Sequence, residues 1–182
     1  MADELIDIVD ENNNPLGIQK MKFEAFEKGL WHRASHIWIY NPKGEMLLQL
    51  RAKSKLVNPD KWDVSVGGHI GAGGEPLTTA VREAGEELGL QVDPKDLEFI
   101  KIVKVEDDKN KVRDNEFLYV YLLKFDGNIK ILKLQEEEVQ KVGFFKLNEL
   151  EEDLQSKPEK YGHDRSYLLE MIAEVRKRIS KR

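Results

Sequence analysis

Leu5, Ile6, Ile8 and Val9 form an apolar block that predicts a first strand, and Asn12-Asn13-Asn14-Pro15-Leu16-Gly17 ends it with strong turn chemistry. Residues 19–28 are predicted as a short helix with Met21, Phe23 and Phe26 partly buried. Residues 34–40 read as a strand, and Asn41-Pro42-Lys43-Gly44 turns the chain so that residues 45–51 return as a hairpin arm. Residues 52–61 are a lysine-rich polar loop, after which Trp62-Asp63-Val64-Ser65-Val66 alternates as a half-buried strand does. A helix follows. Leu77, Val81, Ala84 and Leu88 make its apolar stripe, Pro76 suits its first turn, and Gly89 its stop.

Residues 97–105 and 116–125 are predicted as strands joined by a charged connection over 106–114, and residues 139–145 as a further strand. The end is helical: residues 147–154, then a face of Leu168, Ile172, Val175 and Ile179. Strands and helices mixed without strict alternation point to a layered α/β or α+β domain with a mixed β-sheet.

The 182 residues are 40% hydrophobic and 35% charged, which suits one folded domain with a real core. A net charge of −5 argues against broad binding to nucleic acid or anionic membranes. Arg176, Lys177, Arg178, Lys181 and Arg182 are read as a solvated helix terminus that complements the helix dipole. There is no cysteine, which removes disulfides, thiolate metal sites and cysteine nucleophiles. The start, Met1-Ala2-Asp3-Glu4, has no signal-peptide pattern, and apolar runs fall far short of the ~20 residues of a membrane helix. The expectation is a cytoplasmic protein of open oligomeric state.

Candidate chemistry gathers at one stretch. Gly67-Gly68-His69-Ile70-Gly71-Ala72-Gly73-Gly74-Glu75 runs into the helix, where Glu83, Glu86 and Glu87 stand at i, i+3 and i+4. These carboxylates share one arc of about 100° and repel by a few tenths of a kcal/mol per pair, roughly. Beside a flexible glycine loop, they suggest a bound cation and something that the cation holds. A solvated acidic helix face is the plainer alternative.

Residues 68–90 resemble the Nudix box, G-x5-E-x7-R-E-U-x-E-E-x-G-U with U a bulky aliphatic. Gly68, Arg82, Glu83, Glu86, Glu87, Gly89 and Leu90 fall in register. Gly74 stands at the first glutamate position, with Glu75 displaced by one, and Ala84 is small for its place. The resemblance implies a Nudix-like α/β/α sandwich in which a loop–helix–loop holds Mg2+ (or Mn2+) against a diphosphate. Glu83, Glu86 and Glu87 would be its ligands, and Arg82 would brace the loop or help bind substrate. Magnesium suits carboxylate and phosphate oxygens.

A longer likeness, over roughly residues 4–145, is to the isopentenyl-diphosphate isomerases and their Nudix relatives. It is carried by Leu30-Trp31-His32-Arg33-Ala34, by residues 47–55 with Pro59 and Trp62, by Ser65, Gly68 and His69, and by Arg113-Asp114-Asn115-Glu116. It implies that Arg51 and Lys55 grip diphosphate, and that His32, His69, Asp114 and Glu116 form a second metal site. The departures oppose isomerase chemistry. That family's catalytic cysteine aligns with Gly67, no tyrosine occurs over residues 101–105, and a further metal histidine falls near Ala25.

The expectation is therefore a magnesium-dependent hydrolase of a small nucleoside-diphosphate-type substrate, one domain over 1–182. Residues 1–30 would be an N-terminal extension, 67–90 the loop–helix–loop and 147–182 the C-terminal helices. A mobile carboxylate, Glu116 or Glu75, would serve as base. Trp31, Trp38 and Trp62 could stack on a substrate base, with Trp38 better placed in the core. The alternatives are an isomerase-like protein and a diphosphate sensor without turnover. Residues 156–166 are read as a surface loop from which Tyr161, His163, Asp164 and Arg165 could reach a pocket.

Overall fold

The computed structural model describes residues 3–109 and 112–180, so Lys181 and Arg182 of the basic terminus lie outside the described residues. The chain begins with a hairpin of β1 (Leu5–Val9) and β2 (Pro15–Met21), followed by α1 (Lys22–Lys28). Ile6 and Ile8 pack on Ala25 of α1 in a small core of their own. The helix predicted over 19–28 is thus strand up to Met21. Residues 15–21 are nearly all exposed, and their pairing to β1 rather than burial makes them extended.

Among the described residues, seven strands form the main mixed sheet. β3 (His32–Tyr40) lies inside it, between β4 (Glu45–Arg51) and a parallel partner, β8 (Val112–Lys124). β7 (Leu97–Lys109) pairs with β8, and β9 (Val139–Lys146) with β4. The segment predicted as one strand over 62–66 is split. β5 (Trp62–Asp63) pairs with β4, while β6 (Val66–His69) pairs with β3. Ser65 sits at the break, where its Oγ accepts from Ile39 N at 2.8 Å and donates to Leu47 O, so side-chain bonds replace the ladder.

Helices cover both faces, which makes the α/β/α sandwich. Period-two alternation divides each strand between the layers. Ile37, Ile39, Leu47 and Leu123 pack with Ala80, Ala84 and Leu88 of α2 (Pro76–Leu88). Trp38, Met46, Leu48, Leu118, Val120 and Leu122 pack under α3 (Leu147–Ser156) and α4 (Arg165–Ile179). Each fully buried aliphatic side chain contributes about 1.5–3 kcal/mol. Of the predicted stripe of α2, Ala84 and Leu88 are buried and Val81 is partly so, whereas Leu77 is 37% exposed and the small Ala80 faces the sheet in its place.

The predicted charged connection over 106–114 is also corrected. β7 and β8 continue as a paired ribbon through Glu106↔Asn115, Asp107↔Asp114 and Asp108↔Arg113. On α4 the basic terminus meets acidic partners, with Arg176 on Glu151 and Arg178 on Glu98, both at 2.5 Å. No helix among the described residues is long and apolar enough to cross a membrane.

Candidate active site and metal centre

The glycine loop and α2 meet at van der Waals limits. A Cβ at Gly68 would lie 2.1 Å from the Glu83 carboxylate, so it is glycine at 68 that leaves this carboxylate its place beside β6. Glu87, one turn on, is 4% exposed and accepts from Gln49 Nε2 at 3.1 Å and from Gly67 N at 3.2 Å. Burial and the neighbouring Glu83 push its pKa up to about 8. Burial likewise raises Glu83, against the pull of Arg82. Arg82 bridges Glu83 at 2.7 Å and Glu86 at 2.5 Å, which ties it to the carboxylates of its own helix. Two largely buried carboxylates whose pKa values stay raised despite the cations around them make a site that favours a further cation.

These groups line a cavity of about 330 Å3, and Arg51 and Lys55 line it as well. Arg51 donates Nε to Val57 O at 3.1 Å and places Nη1 3.2 Å from Asp63 Oδ2. Lys55 pairs with Glu138. Both cations are thus held in place by carboxylates that line the same cavity. Asp63, Glu138 and Gln49 carried no signal in the sequence beyond being polar residues in strands and loops.

The second cluster comes from strand register. His32 on β3 stands opposite Glu116 on β8, and Ala34 opposite His69 on β6. Asp114 lies two residues before Glu116, on the same face of β8. His32 Nε2 is 3.3 Å from Asp114 Oδ1 and 3.6 Å from Glu116 Oε1, and His69 Nε2 is 3.3 Å from Glu116 Oε1. One donor atom from each of the four residues falls within 4.8 Å of the others. His32 Nδ1 is 3.0 Å from Leu30 O, which directs Nε2 inward. His32 Nε2, His69 Nε2 and Asp114 Oδ1 are buried with no hydrogen-bond partner.

Orphaned buried polar atoms are costly, and three aimed at one point fit a divalent ion. Burial opposes charge on His32, but Asp114 and Glu116 outweigh it and raise its pKa. Burial and Glu116 raise Asp114, whereas His69 and His32 overcome burial and hold Glu116 down at about 2. Glu116 is therefore buried on a strand and fixed between imidazoles, not the mobile carboxylate expected. Glu4, which the sequence did not single out, places Oε1 3.8 Å from His69 Nδ1.

The two departures from the motifs have local causes. Gly74 N donates to Gly71 O at 2.8 Å in a tight turn, and a Cβ at 74 would sit 2.8 Å from that same oxygen. Glu75 stands at the N-cap position of α2 without a side-chain capping bond, exposed and not among the cavity residues. At Gly67 a Cβ would be 3.1 Å from Val64 Cγ1 and 3.3 Å from His36 Cδ2, a tight fit for any side chain. Trp38 is fully buried, Trp31 packs on Phe117, and Trp62 packs on Phe145; none of the three lines the cavity. The surface-loop reading of 156–166 fails at Tyr161, which is buried, and at His163, which borders the cavity; Asp164 and Arg165 are exposed as expected.

The NUDIX domain matches residues 30–168. An uncharacterised Nudix hydrolase of Clostridium acetobutylicum is 35% identical over 160 residues, which span 86% of this chain and 77% of that protein. An isopentenyl-diphosphate Delta-isomerase of Serratia proteamaculans is 31% identical over 160 residues, 87% of this chain and 86% of that one. Among solved structures, DR0079 from Deinococcus radiodurans aligns with a TM-score of 0.69 at 21% identity, over 94% of this chain and 99% of the other. With its sandwich, its carboxylate helix and these relatives, the chain belongs to the Nudix family of hydrolases.

Proposed function

We propose that the protein is a magnesium-dependent hydrolase that cleaves the diphosphate of a small nucleoside-diphosphate-type substrate. The observation that carries this reading is the juxtaposition of Glu83, Glu86 and Glu87 with Arg51 and Lys55 around one cavity of about 330 Å3. That size suits a small molecule. Glu83, Glu86 and Glu87 would hold the ion, and His32, His69, Asp114 and Glu116 would hold a second one. Bound magnesium would supply charge neutralisation of the diphosphate and acidify a water.

The chain's own residues would do the rest. Arg51 and Lys55, positioned by Asp63 and Glu138, would turn their remaining donors to phosphate oxygens, which a guanidinium can bind in a fork. Gln49 and the Gly67 N–H fix the orientation of Glu87. Glu83 would orient the attacking water and take up its proton, a role that fits its raised pKa. Glu116, held in its charged form, is a weaker base. Isomerisation is disfavoured because the crowded Gly67 stands where the isomerase cysteine would. The same reading takes residues 1–182 as one domain with an N-terminal extension over 1–30.

The test is phosphate release with magnesium over a panel of nucleoside-diphosphate compounds, with Glu87→Gln as control. Turnover by the wild type alone supports the reading. Equal background from both proteins on every substrate would sink it, and binding without turnover would identify a sensor.

A further inference from the structure

The segment between α3 and α4 is fastened to the rim of the cavity. Gly162 N donates to Trp62 O at 2.8 Å, Asn58 Nδ2 donates to Gly162 O at 2.8 Å, and Tyr161 bridges to Trp62. The buried Tyr161 also donates its hydroxyl to Asp153 at 2.9 Å. A Cβ at Gly162 would come within 2.8 Å of Asp63 Oδ2, so the backbone passes directly over this carboxylate. The next residue, His163, borders the cavity with Nε2 2.9 Å from Asp63 Oδ1. Asp63 is only 3% exposed, and its other oxygen is 3.2 Å from Arg51 Nη1. One buried carboxylate thus links the cavity arginine to an imidazole supplied by the C-terminal segment.

We infer that His163 is a further phosphate-contacting residue of this cavity, working beside Arg51, and that Asp63 positions both. The diphosphate in this inference rests on the hydrolase reading above. A structural ion pair needs one cation for one carboxylate, but Asp63 faces two basic side chains, and its single charge does not neutralise both when His163 carries a proton. With Nε2 engaged by Asp63, Nδ1 is the ring nitrogen left to serve the cavity, and in the imidazolium it is a charged donor.

The groups that face His163 are Asp63 of β5, His36 of β3 and Tyr167 of α4, with Arg51 and Glu116 acting at longer range. Burial works against the charge on His163, and Asp63 outweighs it, so its pKa is raised. His36, 4.9 Å away between ring centroids, is pushed down to about 3 by burial and by His163 and stays neutral. The pair therefore offers one charge, not two in repulsion.

The test uses the full chain, inorganic pyrophosphate with magnesium, and His163→Gln, whose amide can still donate to Asp63 but carries no charge and no second ring nitrogen. Titration calorimetry should show pyrophosphate binding about tenfold weaker in the variant. The decline of wild-type affinity as His163 loses its proton should be absent from the variant, at an unchanged unfolding temperature. The ring nitrogens of His163, followed by NMR, should shift on pyrophosphate addition in the wild type. Equal affinity and equal pH dependence in the two proteins, or a His163 ring that does not respond, would overturn the inference. A variant that only unfolds at lower temperature while its folded fraction binds normally would also overturn it, since that is what a purely structural tie predicts. Failure of the hydrolase reading looks different: His163-dependent pyrophosphate binding with no turnover of any substrate.

Discussion

Gly68 and Glu83 meet so closely that a Cβ at position 68 would lie 2.1 Å from the Glu83 carboxylate. The side chain that must yield in Gly68→Ala is the mobile end of Glu83, not the backbone. The variant should therefore fold with a stability loss of about 1 kcal/mol or less while Glu83 is displaced from the cavity. We expect kcat to fall by at least about tenfold, consistent with a lost proton-transfer or ligand group. Steady-state kinetics alongside thermal unfolding checks this, and normal turnover would show that Glu83 is dispensable.

Glu87 ties stability to pH. Burial and Glu83 raise its pKa from 4.5 to about 8. A folded-state pKa above the unfolded one contributes stability that is complete below the unfolded value and is lost as pH rises through the folded one. Magnesium-free protein should thus lose unfolding temperature as pH rises from about 4.5 through about 8. Glu87→Gln should flatten this slope and abolish hydrolysis. Unfolding curves in chelator, for both proteins across that range, decide it; parallel slopes would refute the burial cost assigned to Glu87.

The four-residue cluster of His32, His69, Asp114 and Glu116 should bind manganese independently of the α2 carboxylates. Three of its buried atoms have no hydrogen-bond partner, and leaving such groups unsatisfied costs about 1–3 kcal/mol each. Manganese should therefore raise the unfolding temperature of Glu87→Gln, and should fail to do so once Glu116→Gln is added. Calorimetric titration of the two proteins measures the same site directly. Equal manganese binding by both would remove Glu116 from the ligand set.

Gly74→Glu restores the motif residue and should not improve the enzyme. Its Cβ would press on Gly71 O at 2.8 Å, in the turn closed by the Gly74 N–H bond to that oxygen. We expect lower stability by about 1–3 kcal/mol with kcat unchanged or reduced. A marked rise in kcat would show instead that the turn yields and that position 74 limits the wild type.

The loop and helix of 68–90 were legible because their chemistry is local: the glycine, the arginine and three carboxylates fall within a few helical turns. The histidine cluster was not, since its members sit on β3, β6 and β8 and only register brings them together. Resemblance joined them where spacing could not. Asp63 and Glu138, which hold Arg51 and Lys55, gave no pattern at all. The ribbon of β7 and β8 reads as a connection in the sequence because charges on both faces mark solvent exposure, not the absence of pairing. On α2 the larger Leu77 outweighs Ala80 in the pattern, yet close approach to β3 and β6 buries the small Ala80 and leaves Leu77 exposed.

The parallel pairing that sets His32 opposite Glu116 also sets Trp38 opposite Leu122, six residues further along the same two strands. One ruler thus measures both the ligands and the hydrophobic layer beneath α3 and α4. Inserting a single residue into either strand would turn a ligand away and carry its core neighbours with it. Losing the cluster that way and losing the fold would be one event. A change in chain length that spares this register must therefore fall between the strands and helices.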